Sequence, residues 1–169
     1  MERGRRLQVK RLTEAEYRHS IFPDRPYGPV PDAGEATQWE TIHLLFGQVT
    51  LRAQAYEDAL TRFVIAAESV WPRSWKTADE ISRLPLGPLQ KEYARYCELK
   101  QCHLQTMAQA LRIRNSLAHS FYRRRQHLLE SYEGRQRVID ELYLADELFQ
   151  RQCDEVYWNL SLLTGIEAV

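Results

Sequence analysis

The chain has 169 residues, enough for one domain around a single core and too few for two of ordinary size. Lysine plus arginine and aspartate plus glutamate each total 23, so the formal net charge is zero and no whole-molecule field selects a nucleic acid or a membrane. No apolar run approaches the roughly 18 residues of a spanning helix, and the basic amino terminus has no apolar stretch behind it, so a cytoplasmic protein with no membrane partner is expected.

Residues 1–35 differ in kind from the rest. Arg3, Arg5, Arg6, Lys10 and Arg11 make a basic start, Thr13 and Glu16 suit a capping box for one short helix, and Pro23, Pro26, Pro29 and Pro31 then forbid regular structure. The expectation is a basic, proline-rich arm, whose charges either touch phosphates or are solvated, ahead of a helical domain over 36–169.

From about Gln38 to Trp71, apolar residues recur at alternating steps of four and three: Ile42, Phe46, Val49, Ala53, Tyr56, Leu60, Phe63, Ala67 and Val70. That spacing predicts one long amphipathic helix with a continuous core-facing seam, ended by Pro72. Gly47 lies off the seam, where its cost of about 1 kcal/mol relative to alanine suggests close approach of another helix or chain. Thr77 and Glu80 predict a capped short helix stopped at Pro85, and Pro88 suits the first turn of the next.

That next helix is expected to run unbroken to about Ala118 through Leu89, Tyr93, Cys97, Leu104, Ala108 and Leu111. After Ser120 the chain either bends or continues as a short helix, and Gly134 marks a break. The last helix, about 135–164, carries Val138, Leu142, Ala145, Phe149, Cys153, Val156, Leu160 and Leu163, with Gly165 as its cap. The fold class expected is therefore all-α: an antiparallel bundle of three long helices and one or two short ones, with no strand pattern and no repeat. Cys97, Cys102 and Cys153 form neither a C-x-x-C pair nor a disulfide framework and read as small buried hydrophobes.

The chemistry concentrates between Leu99 and Leu129, which hold Lys100, Arg112, Arg114, Arg123, Arg124 and Arg125 and no acid, whereas acids dominate from Glu130 to Glu155. On a helix, Asn115 and His119 share a face, and Arg114 is one step round. The stripe Leu104, Met107, Ala108, Leu111 would continue at 114, 115 and 118, so Arg114 and Asn115 interrupt it. An arginine there is either paired, with Glu57 or Asp58 on a neighbouring helix as candidate acids and His119 merely ending the helix, or it faces a wet cleft.

The common nucleotide and zinc signatures are absent. His19, His43, His103 and His127 lack ligand spacing, so neither a metal nor a cofactor is expected.

The string R-N-S-L-A-H at 114–119 resembles the R-x4-6-H motif, with a polar residue after the arginine, of the HEPN superfamily, all-helical domains found in toxins, phage-defence proteins and RNA-processing nucleases. The motif late in one long helix, followed by another long helix, agrees with that family over about residues 38–165. What the resemblance implies is a metal-independent endoribonuclease of toxin or defence type. In it the ribose 2′-hydroxyl attacks the adjacent phosphate, leaving 2′,3′-cyclic phosphate and 5′-hydroxyl ends.

In that chemistry His119 serves as acid or base, Arg114 holds phosphate oxygens, and Asn115 orients the histidine or the phosphate. Arg112, Arg123, Arg124 and Arg125 would bind RNA. The family commonly dimerises with motifs facing across a shared cleft, so a homodimer with a composite site is implied, with an antitoxin or regulatory protein as a further partner. Toxins paired with a nucleotidyltransferase antitoxin carry a modified tyrosine two residues after the histidine. Here Phe121 holds that position and Tyr122 follows it, a departure that leaves the antitoxin class open. The competing reading is a non-catalytic helical module of the same type, binding RNA or a partner protein.

Overall fold

The computed structural model describes residues 7–8 and 35–165; the proline-rich part of the arm and its Thr13–Glu16 cap lie outside them. In chain order the elements are β1 (Leu7–Gln8), α1 (Glu35–Val70), α2 (Ala78–Ser82), α3 (Leu86–Tyr96), β2 (Cys97–Glu98), α4 (Gln101–His119), α5 (Phe121–Leu129) and α6 (Tyr132–Thr164). The protein is an all-α helical bundle. The sole extended pairing among the described residues is the two-residue parallel contact of β1 with β2.

Helix α1 follows its seam up to Ala67, but Val70, expected on it, is 53% exposed. Ile42, Val49, Ala53, Tyr56, Leu60, Phe63 and Ala67 are all buried, against Val138, Leu142, Phe149, Cys153 and Val156 of α6 in the same core. Each fully buried ring, such as Phe63 or Phe149, contributes about 1.5–3 kcal/mol through the area it removes from water. Partners rise in step along the two helices. Arg135 Nε donates to Gln38 Oε1 (2.9 Å), Gln48 to Asp146 (2.8 Å), and Tyr56 Oη to Gln152 Oε1 (3.4 Å). The two long helices therefore run in the same direction, and it is α4 that runs antiparallel to α6: its His103 meets Glu155, while Ile113 and Leu117, further along, line a groove with Leu142 and Ala145.

The expected third long helix is two helices. Its first half ends at Tyr96, Cys97 turns extended (φ −106°, ψ 143°), and α4 restarts after Lys100 (φ −75°, ψ 162°). Neither proline nor glycine marks this break. Pairing with β1 supplies hydrogen-bond partners for the extended backbone, and folding α4 back on α3 lets Gln90 Nε2 donate to the Met107 carbonyl at 2.8 Å. An added methyl at Gly87 would lie 3.4 Å from the Leu111 side chain, so the hairpin is close at its far end too.

The break also resets the helical phase. His103, Thr106, Met107 and Ala110 are the buried positions of α4, while Leu104, expected in the core, is 41% exposed, and Ala108 is exposed as well.

Two glycines behave differently from each other. Gly134, expected at a break, lies three residues inside α6, whose cap Ser131 accepts from the Gly134 amide; a Cβ there would sit 1.9 Å from the Leu128 carbonyl oxygen. The α5–α6 turn therefore depends on its missing side chain. At Gly47 nothing among the described residues comes within 4 Å of an added methyl, so no neighbouring helix among them explains it. The Thr77–Glu80 capping box forms as expected, and Gly165 (φ 67°) caps α6 in the left-handed conformation.

Candidate functional site

Helix α4 carries the motif in its last two turns and ends at His119, where Ser120 (φ −153°, ψ 10°) turns the chain into α5. The reset phase of α4 separates the motif residues. Arg114 falls on the core stripe with Met107 and Ala110, at its solvent edge, and its side chain is 32% exposed. Asn115 and His119 point away from that stripe and are exposed, so the expectation that Asn115 also interrupts the core stripe does not hold.

Arg114 Nε donates to Glu57 Oε1 of α1 at 2.6 Å, and Nη2 approaches Glu57 Oε2 at 3.5 Å. The paired acid left open by the sequence is thus Glu57, and Asp58 faces solvent. A side-on pair of this kind occupies the Nε edge of the guanidinium and leaves Nη1, which lies 3.5 Å from Asn115 Oδ1. With both side chains partly solvated, the pair contributes about 1 kcal/mol at most to stability.

Round the exposed face, residues seven apart nearly superimpose, so Arg112 lies on the same line as His119, with Asn115 beside both. Beyond that line is a groove of about 360 Å³ between α4, α5 and α6, bordered by Arg112, Ser116, Leu117, Arg125, Glu141 and Leu144. Among the arginines expected to meet RNA, Arg125 is the one held in place. Its Nε donates to Glu141 at 2.7 Å, and its guanidinium carbon stacks 4.5 Å above the Phe121 ring. Arg112, Arg123 and Arg124 are exposed and make no ion pair among the described residues.

Phe121 is 4% exposed and belongs to the core, whereas Tyr122 presents 38% of its surface to solvent. The two adjacent rings meet edge-on at 5.0 Å, and Phe46 of α1 lies 5.0 Å from Phe121 and 5.4 Å from Tyr122. His43, one turn earlier on α1, stands 6.1 Å from Tyr122 and 5.8 Å from Trp39. Nothing in the sequence joined His43 to the motif region, because the contact spans 79 residues of chain. A ring row of this kind is legible only when the helices are packed.

Burial raises the Tyr122 hydroxyl above its ordinary value, and the larger shifts lie elsewhere. Burial raises the Glu68 carboxyl, but hydrogen bonds from the Tyr96 hydroxyl and from the amides of Arg73, Trp75 and Ser74 more than offset that and bring it down to about 2. Burial pushes the Cys97 thiol up to about 12 and Cys153 to about 11, and Cys102 is only partly covered. Among the described residues no cluster of three or more His, Cys, Asp or Glu side chains is arranged to hold a metal, and no helix is long and apolar enough to cross a membrane. In comparisons with protein-family models, curated proteins and solved structures, the chain gives no match.

Proposed function

We propose that the chain is a metal-independent endoribonuclease of HEPN type, acting as a toxin or phage-defence effector, in which Arg114, Asn115 and His119 carry the chemistry. The observation that supports this most is the state of Arg114. It is paired side-on to Glu57 yet a third exposed, so one edge of its guanidinium is oriented and the other is available beside Asn115. A bidentate phosphate contact needs such a free edge.

Exposed His119 follows Asn115 by one turn and can exchange protons with water or a ribose hydroxyl. Attack of the 2′-hydroxyl on the phosphorus requires one group to take that proton and another to protonate the departing 5′-oxygen. The two roles fall to two histidines if a second chain brings its own motif to the cleft, so a homodimer is part of the proposal. Arg112, on the line of His119, and Arg123 and Arg124 supply cations for the RNA backbone, with Arg125 anchoring the helix that bears them.

Cleavage of single-stranded RNA in excess chelator tests the reading. The expected result is cyclic phosphate ends, a bell-shaped pH profile, and loss of cleavage in His119→Ala with unchanged helix content. An inactive parent would overturn it. The second reading, a helical module that binds RNA or a partner protein without cutting, is favoured by the closeness of the Arg114–Glu57 pair, which serves structure equally well. It is separated by the same assay, since binding would then occur without cleavage.

A further inference from the structure

The geometry points to an aromatic patch formed by Tyr122 and His43 as a base-stacking subsite for single-stranded RNA, on a short helix that also carries the exposed Arg123 and Arg124. It deepens the RNA reading above and names how the substrate would be held next to the motif. The row begins in the core with Phe121 and ends in solvent with Tyr122 and His43, at ring spacings of 5.0 to 6.1 Å. The rings are edge-on or tilted to one another, so a base would lie on the exposed face of the Tyr122 ring itself, which Phe121 and Phe46 hold from behind, and little side-chain freedom is lost on binding.

The chemistry of the flank decides the occupant. Arg123 and Arg124 directly follow Tyr122 and are exposed with no ion pair among the described residues, while Arg125 is tied back to Glu141. Exposed rings beside uncommitted guanidinium groups match a ligand that alternates flat apolar bases with phosphates. Unpaired strands offer that pattern with their bases free to stack, whereas duplex bases are already stacked on each other. Tyr122 is three residues beyond His119, so the subsite and the motif lie at the same helix junction.

Binding of short 2′-O-methyl oligoadenylate and oligouridylate tests the subsite apart from catalysis, because these probes lack the attacking hydroxyl. The parent should bind the adenylate more tightly, as the larger ring system stacks better. Tyr122→Ala should weaken adenylate binding about tenfold and abolish the preference, Tyr122→Phe should keep both, and His43→Gln should fall between. Arg123→Gln with Arg124→Gln should weaken both probes alike and reduce the salt slope by about 0.7 per contact, with the preference intact. Circular dichroism identifies a misfolded Tyr122→Ala protein, and His43→Gln, at an exposed position, then carries the test.

Tyr122→Ala or His43→Gln binding both probes as the parent does would overturn the subsite. So would a parent that binds neither probe. If the parent cleaves ordinary RNA and Tyr122→Ala cleaves it with unchanged KM, the subsite falls while the ribonuclease reading stands. Stacking without any cleavage has the opposite meaning.

Discussion

Arg114 shows how much a single side chain depends on its distance from solvent. Deep in the bundle its pair with Glu57 would be a structural necessity, and breaking it would cost about 3–5 kcal/mol. At the solvent edge the same pair contributes about 1 kcal/mol at most and serves mainly to aim the guanidinium. Glu57→Gln is therefore expected to lower RNA cleavage by about ten- to a hundredfold through misorientation, while shifting the thermal midpoint only slightly. Parallel melts and single-turnover rates check this, and a large loss of stability with no effect on cleavage would instead make Glu57 structural.

Glu68 makes the opposite case, a carboxylate that is buried and fully committed. Its folded pKa, about 2, lies below the ordinary value of 4.5, so its stabilisation is complete above pH 4.5 and is lost as pH falls toward 2. The Glu68→Gln protein should be less stable than the parent by up to about 3 kcal/mol near neutral pH, with the gap closing on acidification. Denaturant unfolding at several pH values measures it.

At the scale of elements, the α5–α6 turn is the most constrained junction. The Gly134 position has no room for a methyl against the Leu128 carbonyl, while the Ser131 cap binds the Gly134 amide. Gly134→Ala should cost about 2–4 kcal/mol, because the helix start must move and Arg135, which donates to the Leu129 carbonyl and to Gln38, must move with it. Gly47→Ala, in open space on α1, should be neutral or stabilise by about 0.5–1 kcal/mol. The pair of thermal midpoints tests both statements. A destabilised Gly47→Ala protein would mean that a segment outside the described residues, or another chain, packs there.

The whole molecule leaves several large apolar side chains in solvent on its outer faces, among them Leu44 at 72%, Leu51 at 67% and Leu144 at 52% exposure. Scattered exposed leucines are ordinary, but Leu44 and Leu51 lie two turns apart on one face of α1, on the same helix as Gly47. A two-fold dimer that brings two motifs to one cleft is expected at micromolar concentration. Sedimentation giving a species twice the 20.0 kDa chain mass would agree, and a monomer would remove the composite site.

Helix identity was largely written in the chain. The four-and-three seams of α1 and α6, the Thr77–Glu80 cap and the Gly165 terminus are local patterns, and local backbone physics decides them. Candidate residues were likewise legible, since R-N-S-L-A-H needs only helical spacing to set Asn115 and His119 on one face.

What the tertiary structure decided was every relation that depends on distant partners. The break at Cys97–Lys100 carries no proline or glycine and becomes favourable through pairing with β1 and the return of α4 along α3, so no local signal could reveal it. Through that break the phase of α4 shifted, which put Arg114 on the core edge and Asn115 in solvent. Likewise Glu57 rather than Asp58, the common direction of α1 and α6, and the meeting of His43 with Tyr122 each follow from packing between segments far apart in sequence. A helical periodicity states which face is apolar. It does not state which neighbour covers that face, because covering surfaces are chosen by the fit of whole helices and not by the residues within one turn.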